Sequence, residues 1–178
     1  NKLIRREKKM EAIVYTSNTG TTKEYAKLLS DKLSLPYYSL DEIKNKVKPG
    51  GKIIYLGWIM ASGVKGYKKA IKDYDVCAVG AVGMGATGTQ VKEVRTKNKI
   101  PSSKPVFTLQ GGFDVKKLHG IYKLMMTIMV KTAGKGLANK QDRTQEEDQM
   151  LEMMLHGGKY VDEKNLKAIL DWYGKRGE

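Results

Sequence analysis

Between a short apolar run, Ala12 to Thr16, and a helical pattern that begins at Thr21 lie Ser17, Asn18, Thr19 and Gly20, with Thr22 one position further on. Four hydroxyls and one glycine crowded before a helix make an anion site. The first N–H groups of a helix have no intrahelical acceptor, and the helix dipole places partial positive charge beside them. Gly20 lets the backbone close around the anion. The loop holds no lysine, so it is not the Gly-Lys-Ser/Thr loop of nucleotide triphosphatases, and it lacks GxGxxG, which argues against a dinucleotide. Neutral donors suit one terminal monophosphate.

The elements needed to position such a loop are written along the chain. β-rich apolar runs at 12–16, 36–40, 52–57, 76–82 and 105–110 alternate with helical patterns at 21–33, 65–72 and 89–97, and Asp41 is expected to cap another helix. This alternation predicts an α/β chain with a parallel sheet covered on both faces. Such sheets bind ligands beyond the carboxyl ends of their strands. Glycines and hydroxyls collect at three of those ends, in residues 16–22, 57–63 and 83–88. A Lys- and Met-rich insert is expected over 111–143, then a helix opened by a capping box at Thr144 and Glu147, and a last helix from Asp162 to Tyr173.

Composition narrows the chemistry. With 178 residues the chain suits one domain, taken as 11–178 after a basic leader over 1–10. Met10 would be a natural start. Cys77 is the single cysteine, so no intramolecular disulfide or all-cysteine metal site is possible, and two histidines, His119 and His156, do not make a histidine-rich centre. No Ser-His-Asp or Cys-His arrangement supports hydrolysis, and metal ligation is not expected at Glu146, Glu147 and Asp148, which suit the first turn of a helix. No window approaches the length of a spanning helix. The expectation is a soluble, cytoplasmic protein, with peripheral membrane association as the alternative. The net charge of +14 favours an anionic partner. With no recognisable nucleic-acid module, no specific nucleic-acid binding is expected.

The loop is more specific than an anion site. Ile13 and Val14, the aromatic Tyr15, Ser17, Gly20, Thr22, Ala26 and Leu29 together resemble the flavodoxin signature. The resemblance implies a three-layer sandwich with a five-stranded parallel sheet of order 2-1-3-4-5. It also implies FMN, its phosphate held by Ser17, Asn18, Thr19, Gly20, Thr21 and Thr22. The loop after the third strand would wall the flavin ring with Trp58, Ile59 and Met60, and Gly57, or Gly63 with Ser62, would permit a peptide rearrangement when the flavin gains a proton. The loop after the fourth strand, with Gly83, Met84 and Gly85, would enclose the other edge. It departs from the family in lacking a stacked Tyr and an acidic neighbour. Residues 110–112 are a third wall.

The insert resembles, more diffusely, that of the quinone-dependent protoporphyrinogen dehydrogenases of flavodoxin type. Over 115–132, Leu118, Ile121, Tyr122, Met125, Ile128 and Met129 share one helical face, which is expected to pack on the domain, while Met126 and Val130 spill onto a second. The expected function is FMN-dependent electron transfer with a redox partner protein or quinone. One alternative is a membrane-associated FMN-dependent dehydrogenase of a hydrophobic substrate such as protoporphyrinogen, reaching an anionic membrane through the 115–132 helix. The other is a flavin-free flavodoxin-fold interaction module. Electron-carrying flavodoxins are usually acidic, so the charge weighs against a generic carrier.

Overall fold

The computed structural model describes residues 8–117 and 120–177. Its strands are β1 (Ala12–Thr16), β2 (Tyr37–Ser39), β3 (Lys52–Met60), β4 (Gly63–Val64), β5 (Asp75–Gly83), β6 (Val106–Gln110), β7 (Gly112–Phe113) and β8 (Gly158–Lys159). Its α-helices are α1 (Thr21–Leu33), α2 (Tyr67–Asp73), α3 (Val91–Asn98), α4 (Gly120–Asn139), α5 (Gln145–His156) and α6 (Lys167–Gly174). The parallel strands lie in the order β2-β1-β3-β5-β6. That is the expected 2-1-3-4-5, because the extra strand β4 only folds back antiparallel on β3.

Alternate side chains of each central strand enter different cores, as the period of two requires when both faces are covered. Ile13, Ile54 and Leu56 pack with Tyr25, Ala26 and Leu29 of α1 and with Leu166, Ile169 and Tyr173 around α6. Ala12, Val14, Ile53 and Tyr55 pack on the other face with Tyr67 and Ala70 of α2 and Val94 of α3. The result is a flavodoxin-like three-layer sandwich. Met10, at the end of the expected leader, belongs to the first core at 2% exposure.

Three elements differ from expectation. Asp41 caps no α-helix; a 3-10 turn at Ile43–Asn45 seats Ile43 and Val47 in the second core instead. Asp162 caps a 3-10 turn, Glu163–Leu166, that runs into α6. The third strand does not stop at Gly57. Gly57 pairs with Thr16 and Ala81 inside the sheet, and a Cβ there would stand 2.5 Å from Lys65 O and 2.6 Å from Val64 Cγ1. Glycine here permits the close approach of β4 rather than ending a strand. Gly57 is therefore a paired strand residue, not the end of the strand.

The chain between β6 and α6 makes one closed excursion. Gly112 pairs with Lys159 and Phe113 with Gly158, and Tyr160 N donates to Gly111 O at 2.7 Å. Tyr25 fastens this clasp to α1: its hydroxyl donates to Gln110 O and accepts from Asn165 Nδ2 at 2.7 Å. Burial pushes the Tyr25 phenol above its ordinary pKa. α5 belongs to the excursion as much as the 111–143 segment does. The expected capping box opens it, Glu147 N donating to Thr144 Oγ1 at 3.1 Å and Thr144 N to Glu147 Oε2 at 3.0 Å. Hydrogen bonds from Lys140 and from the Thr144 backbone hold the Glu147 carboxyl below its usual pKa.

Among the described residues no helix is long and apolar enough to cross a membrane.

Candidate functional site

The loop rich in hydroxyls joins the end of β1 to the start of α1, the strand–loop–helix placement the sequence predicts. Ser17 Oγ accepts from Gly20 N at 3.2 Å, folding the loop on itself. Gly20 stands at φ 99° as the N-cap of α1 and supplies no side-chain cap, so the helix N-terminus keeps its N–H groups for a ligand. Thr22 is 1% exposed, and neither its Oγ1 nor the buried Asn18 Oδ1 has a hydrogen-bond partner among the described residues. Leaving a buried polar atom unpaired costs about 1–3 kcal/mol. Asn18 Oδ1 lines the cleft side of the loop and would be satisfied by a donor such as a ligand hydroxyl, whereas Thr22 Oγ1 lies beneath the loop.

The loop opens into a cleft of about 300 Å³. Of the twelve residues expected to hold a cofactor, nine line it: Asn18, Thr19, Thr21, Trp58, Ile59, Met60, Gly83, Met84 and Gly85. Ser17 is turned into its own loop, Thr22 lies beneath it, and Gly20 lines a smaller hollow of about 150 Å³ with Thr19, Thr21, Lys117 and Lys159. Trp58, Ile59 and Met60 reach the cleft as the overrun of β3, not as a loop, so strand pairing fixes their backbone. Lys65 Nζ sits 5.6 Å from the Trp58 ring centroid, a cation–π arrangement.

The 83–88 loop is tied down. Gln110 N donates to Thr87 Oγ1 at 2.9 Å, Gln110 Nε2 to Met84 O at 3.2 Å, and Gly88 N to Thr108 O at 3.1 Å. Gln110 thus braces the loop, while Gly112 supplies the third wall.

No family model, curated protein or solved structure matches the chain. The site's own residues therefore carry its interpretation.

The cleft has a roof that the sequence reading missed. Met126 and Met129 of α4 and Met150 and Met154 of α5 line it, facing Met60 and Met84. Met126 and Met153 are buried against each other, with Met84 and Val130 packed on them. Of the face expected to pack, Met129 lines the cleft while Ile128 is 54% exposed, and Met126 with Val130, assigned to the second face, also point inward. Leu118 and His119 lie outside the described residues, as do the side chains of Ile121, Tyr122 and Met125. Met150, Met153 and Met154 at helical spacing were the available signal. Thioethers adapt to irregular space and make favourable contacts with aromatic rings. Asp114 is the one formally charged side chain among the described lining residues.

The remaining reactive side chains lie elsewhere. Cys77 is buried within β5, its side chain in the first core, where burial raises its thiol pKa. His156 is exposed and faces Glu152 at 3.8 Å. Among the described residues no group of three or more His, Cys, Asp or Glu gathers as a metal site would require.

Proposed function

We propose that the chain is an FMN-binding, flavodoxin-like redox protein. The observation that carries this reading is the uncapped start of α1, with the orphaned Asn18 Oδ1, at the mouth of an apolar, Trp- and Met-walled cleft. Bound FMN would supply one- and two-electron chemistry, exchanging electrons with a partner protein or a quinone. Asn18, Thr19, Thr21, Thr22 and the backbone at Gly20 would hold the phosphate end. Trp58, Ile59 and Met60 on one side and Gly83, Met84 and Gly85 on the other would confine the ring. The methionine roof would exclude water from it, which strengthens every polar contact inside.

The test is a titration of the purified chain with FMN, followed by visible absorbance and by quenching of free-flavin fluorescence. Saturable uptake is expected. A colourless chain that takes up none would refute the reading and leave the flavin-free interaction module.

A second reading, a membrane-associated dehydrogenase of a hydrophobic substrate, is favoured by the outer face of α4. Leu124 and Ile128 are 61% and 54% exposed, and Lys123, Lys131 and Lys135 are exposed on the same helix. Apolar anchors beside cations suit an anionic lipid surface. The chain is then expected to co-sediment with phosphatidylserine/phosphatidylcholine vesicles at low salt but not with pure phosphatidylcholine. Leu124→Asp with Ile128→Asp should abolish that while leaving FMN uptake intact. Equal sedimentation with both vesicle types, or none with either, would refute it.

A further inference from the structure

Ala61 at φ 48° and Ser62 at φ 63° are consecutive non-glycine residues in the left-handed region. They form the two-residue connection between β3 and β4, where Met60 pairs with Gly63 and Ile59 with Val64. A hairpin with both central residues at positive φ is a type I′ turn, which Asn-Gly or Gly-Gly favours. Ala-Ser has no such preference, and a conformation of this kind persists only where its surroundings impose it.

Asn98 imposes it. This last residue of α3 is 8% exposed. Its Oδ1 accepts from Val64 N at 2.9 Å, and its Nδ2 donates to Ser62 O at 2.9 Å and to Val94 O at 2.7 Å. Both amide donors and the acceptor are thereby used. Ala61 and Ser62 line the cleft beside Trp58, Ile59 and Met60, and so does Gln90 at the other end of α3. One short helix borders the loop after β5 and grips the turn after β3.

We propose that Asn98 is a positioning residue for the ring slot. It holds the turn at Ala61 and Ser62 as a pre-formed wall, and so governs how well a flat heterocycle binds without touching it. The identity of that ligand rests on the flavin reading; the clamp rests on the three hydrogen bonds. A wall already ordered need not be ordered by the ligand, which raises affinity.

The test compares three chains: wild type, Asn98→Ala, and Asn98→Ala combined with Ala61→Asn and Ser62→Gly. The combined variant gives the turn its own type I′ preference and needs no clamp. Without ligand, amide hydrogen exchange at Gly63 and Lys65 is expected to speed up about tenfold or more in Asn98→Ala, the loss of a buried hydrogen bond. It should slow again in the combined variant, with β1 and β5 amides unchanged throughout. FMN and riboflavin affinities should both fall by about tenfold in Asn98→Ala, because the clamp serves the ring rather than the phosphate. Unchanged exchange at Gly63 and Lys65 would overturn the proposal. So would an equal rise across the whole sheet, or a failure of the combined variant to slow the exchange at Gly63 and Lys65 again. A wild-type chain that takes up no flavin refutes the flavin reading, and the exchange comparison then decides the clamp.

Discussion

Thr21→Asp is expected to lower the affinity for FMN at least about a hundredfold while leaving the affinity for riboflavin within a factor of about three. Thr21 is the first residue of α1 and lines the cleft beside Asn18 and Thr19. A carboxylate there would stand against the phosphate. Two like charges about 4 Å apart at a partly solvated site repel by about 4 kcal/mol, enough for the loss in affinity even after screening. The same carboxylate meets the positive end of the helix dipole, which favours it by about 0.3–1 kcal/mol in the unliganded chain. Affinity and stability should therefore move in opposite directions. Paired titrations with FMN and riboflavin, with thermal melts of the free protein, check both. Equal losses for the two ligands would show that the loop does not bind the phosphate.

Gly66→Ala is expected to destabilise the fold by about 3 kcal/mol or more, lowering Tm by roughly 6–12 °C for a chain of this size. Gly66 caps α2 at φ 79°, where an L side chain is strained by about 1–2 kcal/mol. Its Cβ would also press into Tyr55 Oη and Thr16 Oγ1. Neither atom is free to retreat. Tyr55 is fully buried, its hydroxyl lies 2.7 Å from Thr16 Oγ1, and it donates to Lys65 O at 2.6 Å. The burial that fixes it also raises its phenol pKa far above the ordinary value. Gly174→Ala is the control. It lies at the end of α6 with open space around it, and a melt unchanged or slightly raised is expected. A Gly66→Ala melt no lower than that control would contradict the packing argument.

The segment from β1 through α1 was legible because every signal is local: an apolar strand, a run of hydroxyls, a glycine and an amphipathic helix. The overrun of β3 was not, because glycine marks both a strand end and a close approach, and only the position of Lys65 and Val64 distinguishes them. The Ala61 and Ser62 turn was illegible for a different reason. Its conformation is dictated from 36 positions away, by Asn98 on Ser62 O. The methionine roof fell between these cases. α4 is apolar around so much of its circumference that helical periodicity alone does not choose the inner face. That choice is made by Met153 of α5 and Met84 of the 83–88 loop.

The clasp of β7 and β8 also bears on the order of folding. α6 and the turn before it supply Leu166, Ile169 and Tyr173 to the core, yet α6 follows β6 only after the whole excursion. Closing a loop of about 50 residues costs about 2 kcal/mol more in chain entropy than closing one of about 5. Once Gly112 has met Lys159, α6 searches for the sheet as if it followed β6 through a short link. The excursion beyond the clasp is then free to settle last. The parallel sheet, both cores and the clasp are complete without it. The methionines that roof the cleft thus form a packing unit of their own, apart from the two cores that hold its floor.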